Sequence, residues 1–217
     1  MLRPAVSFCL FVSFAEADAA ARNALRTLRV GEKARLHTPA RARDPYLHDD
    51  APPALVAQLY FAELPSLEAA FSGLARTLGP GASCEAMRVR PFPVPQPAFG
   101  RCTYLVAYAG PAEDPDAWHA HYLAHHAPIM AELPGIRELE IYTPVQWVGA
   151  ATGWRRVRSL QRNKVAFDSP QALEAALNSP VRAKMRADFA TFPRYAGTVS
   201  HYPMLTIDPR EETRAQT

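Results

Sequence analysis

The stretch DPDAWHAHYLAHHAPIMAELPG, from Asp114 to Gly135, concentrates the groups best suited to move a proton. Asp114 suits a helix N-cap, Pro115 its first position and Gly135 a stop. On such a helix Trp118, Tyr122 and His126 stand at i, i+4 and i+8, so they share one face. The stripe ends on an imidazole whose ordinary pKa, about 6.5, suits general acid or base work near neutrality. Pro128 follows two residues later and carries no N–H. It should kink or loosen the helix beside His126, which can open a pocket. The competing use of His126 is structural, a hydrogen bond made inside the core. His121 and His125 are four apart, a spacing compatible with metal on a helix. No HExxH pattern, cysteine pair or carboxylate partner goes with them. No metal is expected, and His119, His121 and His125 are read as a solvated helix face.

Other candidate contacts lie on strands. Tyr104, Val106 and Tyr108 alternate with Leu105 and Ala107, so the two tyrosines share one side of a strand. They are expected to point into a barrel and contact a ligand there, with plain strand packing as the alternative. His201, in TVSHYPM, would project into the same cavity or cap a sheet edge. Arg155, Arg156, Arg158 and Arg162 read as a solvated hairpin loop rather than an anion-binding rim. There is no phosphate-binding glycine loop, no GxSxG elbow and no Cys/His nucleophile arrangement, and no cofactor is expected.

The elements that must position these residues come in two sets. The segments LYFAELPSLEAAFS and VAFDSPQALEAALNS align without a gap, placing Phe61 on Phe167 and Leu67 on Leu173. Each reads as strand, proline in a first helical turn, then helix. The flanking order repeats as well. The first half has strands at Val6–Phe14, Ala34–Thr38, Ala54–Phe61 and Cys84–Arg90, with helices at Asp18–Leu28 and Pro65–Leu78. The second has strands at Cys102–Ala109, Arg137–Trp147, Asn163–Phe167 and Gly197–Ile207, with helices at Pro115–Leu133 and Pro170–Phe189. Residues 91–100, with Pro91, Pro93, Pro95 and Pro97, read as a stiff linker between domains 1–90 and 101–217. The fold class is therefore α+β: two tandem ferredoxin-like βαββαβ units whose sheets face each other and form one intramolecular barrel. An ungapped match of Asp18 to Asp116 sets Leu28 on His126, so the first half lacks the histidine site.

Composition bounds the partners. With 48% hydrophobic and 21% charged residues over 217, the chain is globular in character. A net charge of +3 gives no electrostatic case for nucleic acid. Cys9, Cys84 and Cys102 make neither a metal spacing nor a disulfide framework, which fits a cytoplasmic setting. The apolar run Ala5–Ala15 after Arg3 reads as a first strand rather than a signal segment. No segment has the length for a membrane span. The expected partner is a small molecule, with the chain a monomer or homodimer.

The pattern Trp118, Tyr122, His126-Ala127-Pro128-Ile129, closed by Leu133-Pro134-Gly135, resembles the EthD-type members of the dimeric α/β-barrel superfamily. The resemblance covers about residues 102–205. Members are usually short chains that pair sheet to sheet, so a double-length chain would build the barrel alone. The resemblance implies a cofactor-independent enzyme using His126 for acid/base chemistry: isomerisation, dehydration, cyclisation or decarboxylation. The substrate would be a small aromatic, polyketide-like or lactone molecule walled by Trp118, Tyr122, Tyr104, Tyr108 and His201. The alternative is a non-catalytic binding or stress-response module for a hydrophobic metabolite.

Overall fold

The computed structural model describes residues 6–17, 19–46, 51–149 and 153–214. The first half runs β1 Phe8–Phe14, α1 Ala19–Thr27, β2 Lys33–Pro39, β3 Leu55–Phe61, α2 Leu64–Leu78 and β4 Ala82–Phe92. The second opens with β5 Cys102–Ala109, α3 Pro115–His121, a π turn Tyr122–His126 and α4 Ala127–Ala131. It continues with β6 Glu138–Pro144, the two-residue β7 Arg155–Arg156, β8 Gln161–Phe167, α5 Pro170–Leu177, α6 Pro180–Phe189 and β9 Thr198–Ile207. A short α7, Pro209–Arg214, ends the description. Asp18, the expected start of the first helix, and part of the polar loop before Pro53 lie outside the described residues.

Pairing follows the order β1–β3–β2–β9–β5–β8–β6–β4, and β4 returns to β1, so eight antiparallel strands close into a barrel. Within each half the fourth strand pairs the first, the first the third and the third the second. Two seams join the halves: β2 with β9 and β4 with β6. Closure leaves these eight strands without a free edge.

Strand alternation explains why β3, LVAQLYF, is buried at every position. Leu55, Ala57, Leu59 and Phe61 join the core under α1 and α2, while Val56, Gln58 and Tyr60 turn into the barrel. Three cores result: one helix–sheet layer per half and the barrel interior. The interior is partly polar. Lys164 reaches Glu138 at 2.7 Å and Glu140 at 2.9 Å. Glu140 also accepts from the Tyr60 and Tyr142 hydroxyls. Burial pushes the Glu140 carboxyl up, but the charges of Lys164 and Lys33 outweigh it and hold the group far below the carboxylate range. His37 bridges Gln58 at 2.7 Å and Thr206 at 2.9 Å.

Three expectations change. The helix read as Pro115–Leu133 contains a π turn at Tyr122–His126, where the Ala127 N–H reaches the Tyr122 carbonyl. The loosening expected from Pro128 thus takes the form of one wide turn, because proline cannot donate to the preceding turn. The helix read as Pro170–Phe189 breaks at Asn178–Ser179, since Pro180 forces the residue before it out of helical geometry. The strand read as Arg137–Trp147 stops at Pro144. The chain beyond it crosses to the first half, where Val145, Trp147 and Trp154 pack on that core.

Candidate active site

Tyr104, Tyr108 and Val106 belong to the helix-facing side of β5, and Leu105 to the barrel side. This corrects the expectation that the two tyrosines enter the barrel. The barrel interior is already filled by Phe11, Tyr60, Met87 and Tyr142, among others. A cavity of about 390 Å³ lies instead between the second-half sheet and its helices. Tyr104, Tyr108, Tyr122, His126 and His201 all line it, together with Asn163, Arg182 and Phe189. Trp118 does not. It stacks behind Tyr122 at a ring-centroid distance of 5.3 Å and meets the edge of Tyr108 at 5.0 Å, so it shapes the wall from behind.

The π turn sets His126 beside Tyr122, with ring centroids 4.9 Å apart. The imidazole Nδ1 lies 2.8 Å from Asp188 Oδ2, near the end of α6. A carboxylate there fixes Nδ1 as the protonated nitrogen. Nε2 is left as a lone-pair nitrogen available to the cavity. Burial lowers the His126 pKa, and the Asp188 hydrogen bond and charge oppose that fall. The histidine therefore rests neutral at pH 7 with a carboxylate placed to stabilise its cation. Asp188 Oδ1 also lies 3.2 Å from His121 Nε2. His121 is thus part of the carboxylate's surroundings, which corrects its reading as solvated helix face.

The Tyr108 and Tyr122 phenols remain protonated. Burial pushes Tyr108 up to about 12 and Tyr122 well above its ordinary value. Asn163 Nδ2 donates to the Tyr122 hydroxyl at 2.6 Å, and that hydroxyl donates to Met130 Sδ at 3.2 Å. One side of the cavity comes from the first half. The segment after β2 brings Asp44, which accepts from the Tyr104 hydroxyl at 2.7 Å and pairs with Arg182 at 3.1 Å. Tyr46 lies under Arg186 at 4.2 Å.

Asp188, Asn163, Arg182, Asp44 and Tyr46 escaped the sequence reading. Two carried a signal. Asp188 sits in the last turn of a helix, where the macrodipole disfavours a carboxylate unless a cation or donor partners it. Asn163 shares the helix-facing parity of Val165 and Phe167 in a strand, where asparagine is depleted. Asp44 and Tyr46 carry no local signal, because their place depends on the barrel closing.

Neither a protein-family model nor a curated protein matches the sequence. Solved structures do share the fold. An anthrone oxidase-like protein superposes with a TM-score of 0.58 at 12% identity, covering 96% of each chain. A candidate monooxygenase from Fusobacterium nucleatum gives 0.59 at 6% identity over 94% of each. An EthD-family protein from Bacillus halodurans aligns with 46% of this chain and 95% of its own, at 21% identity and a TM-score of 0.34. The protein has the dimeric α/β-barrel fold, and the first two matches extend over both halves.

Proposed function

We propose that the protein is a cofactor-independent enzyme that moves protons on a small, largely apolar cyclic or aromatic molecule held in the second-half cavity. The observation that carries this reading is His126, with Nδ1 tied to Asp188 and Nε2 left to a cavity walled by tyrosines. In this scheme Nε2 takes a proton from substrate carbon or oxygen. Asp188 stabilises the imidazolium, and the same nitrogen returns the proton to a neighbouring atom or a leaving group. Isomerisation, dehydration, cyclisation and decarboxylation all need only such transfers. The rings of Tyr108 and Tyr122 wall the pocket and orient the substrate.

The oxidative descriptions of two structural neighbours belong to those proteins, and they supply the sharpest contrast for a test. A panel of hydroxylated bicyclic and tricyclic aromatics and aryl lactones is incubated with the protein. Product formation and dissolved oxygen are followed together, for wild type and His126→Ala. Proton-only chemistry gives product with no oxygen uptake and loses it in His126→Ala. Oxygen uptake in step with product would replace this reading by an oxygenation. Full activity in His126→Ala would remove the histidine from the chemistry.

A further inference from the structure

The lining of the second-half cavity carries cations and, among the described residues, no anion. Arg182 and Arg186, four residues apart on α6, both line it, and no aspartate or glutamate does. The two carboxylates set behind that wall are already engaged, Asp44 by Arg182 and Tyr104, and Asp188 by His121 and His126. Arg182 is only partly available. One terminal nitrogen pairs with Asp44 at 3.1 Å, and its Nε is sealed inside the protein, where no ligand reaches it. Arg186 differs. It is exposed at the cavity rim, and its guanidinium has no carboxylate or other hydrogen-bond acceptor among the described residues.

Tyr46 holds that guanidinium in place. Its ring centre lies 4.2 Å from the Arg186 guanidinium carbon and 5.9 Å from that of Arg182. An aromatic ring engages the face of a guanidinium and leaves the in-plane N–H donors free. Those donors form a rigid planar fork that matches the two oxygens of a carboxylate. Contact with the ring also spares part of the entropy cost of fixing a long side chain on binding. One unpaired guanidinium balances one negative charge, which favours a carboxylate over a doubly charged phosphate. The buried wall includes Leu173, Leu177 and Met185, which suit an apolar body behind that charge.

We propose that Arg186 is a specificity-determining residue whose guanidinium binds a carboxylate on the ligand at the cavity rim, so that the cavity selects aromatic carboxylates over neutral rings of the same shape. This names a substrate class for the reading above and rests on the cavity being a ligand site. It does not depend on which reaction His126 performs.

The test reads binding and not turnover, so its failure is separable from failure of the catalytic reading. Dissociation constants for 1-naphthoate, its neutral isostere 1-naphthamide and 1-naphthol are measured by calorimetry at neutral pH on wild type and Arg186→Met. Arg186 is exposed, so the substitution leaves the core intact. Wild type should prefer 1-naphthoate to 1-naphthamide by roughly 5- to 20-fold, between the weight of an exposed ion pair and that of a buried charged hydrogen bond. Arg186→Met should shrink the preference to about twofold or less, with the two neutral probes binding as in wild type. Equal binding of 1-naphthoate and 1-naphthamide to wild type overturns the proposal but leaves the cavity a ligand site. A preference that survives Arg186→Met overturns it too, by assigning the charge recognition to another group. So does an equal loss of all three probes in Arg186→Met, which would make the residue a shaper of the cavity mouth. If 1-naphthol fails to displace 1-naphthoate, the anion sits outside the cavity and the proposal falls. If no probe binds wild type, the cavity reading falls together with it.

Discussion

The two helix–sheet layers share one topology and differ in what occupies them. In the first half Phe71 packs edge-on against Trp147 at 4.7 Å and Trp154 at 5.6 Å, and Trp154 Nε1 donates to the Gly79 carbonyl at 2.6 Å. Leu28, the residue matched to His126, packs on that core. In the second half the equivalent space is the 390 Å³ cavity with His126 on its wall. The segments joining the second and third strands of each half are exchanged. The second half sends Trp147 and Trp154 to fill the first, and the first sends Asp44 and Tyr46 to border the second. One fold thus supports a packed layer and a hollow one, according to what the exchanged segment delivers. The packed layer gains burial worth about 1.5–3 kcal/mol per large side chain, which the hollow layer gives up for a site.

The largest effect should come from removing the group that the first half lacks. His126→Ala should lower turnover by about 10²–10⁴-fold on a substrate found by the panel described above, with the urea midpoint little changed. Asp188→Asn should fall between it and wild type, because the imidazole keeps a hydrogen bond but loses the charge that stabilises its cation. His121→Ala should cost only a few-fold, since Asp188 retains His126. Equal rates for wild type and Asp188→Asn would show that the carboxylate only orients the ring.

Filling can be undone in the other layer. Trp154→Ala removes a buried indole from between Phe14 and Phe71 and should destabilise the fold by about 3–5 kcal/mol in urea melts. If the space stays open, benzene should raise the melting temperature of this variant and leave wild type unaffected. A loss under 1 kcal/mol would mean that the first-half layer collapses easily, and that the contrast between the halves is shallow.

Much of this arrangement was legible in the residues. Alternation and proline positions locate the strands and helices, since both follow from local backbone geometry. The stripe at Trp118, Tyr122 and His126 locates the helix that brings Tyr122 and His126 to the cavity wall, with Trp118 packed behind them. The side of the sheet that carries the cavity was not legible. Tyr104 and Leu105 occupy opposite faces of β5, and both faces are buried once the barrel closes. Hydropathy then cannot separate the barrel interior from the helix layer. Asp44 is the clearest loss: it meets Tyr104 and Arg182 only through the ring of eight strands.

The interior shared by both halves should set the acid limit of the fold. Burial holds the His37 pKa at about 3, below its ordinary value near 6.5. Between those values the unfolded chain binds a proton that the folded one does not, so stability falls as pH drops through this window. Going from pH 7 to about pH 4 should cost roughly 3 kcal/mol through this group alone. His37→Gln removes the titration, so its urea midpoint should vary less over that range than that of wild type. An unchanged pH slope would place the acid sensitivity elsewhere.

The smallest effect tests the exchange of segments itself. Asp44 is 6% exposed, and its Oδ2 takes both the Tyr104 hydroxyl and Arg182, tying the first-half segment to α6. Asp44→Asn keeps the shape and a hydrogen-bonding oxygen but removes the charge, which should cost about 1–2 kcal/mol. The loss alone would not show that the pair is responsible, because Asn also disturbs Tyr104. A double-mutant cycle with Arg182→Met separates the two, since a real pair gives a coupling of about 1 kcal/mol and independent sites give almost none. Ligand release supplies the second readout. If this segment retains ligand in the cavity, 1-naphthol should leave Asp44→Asn several-fold faster, with its association rate little altered. Coupling without faster release would make the segment a brace between the halves. Faster release without coupling would assign retention to Tyr46 over α6, where Arg186 lies against its ring.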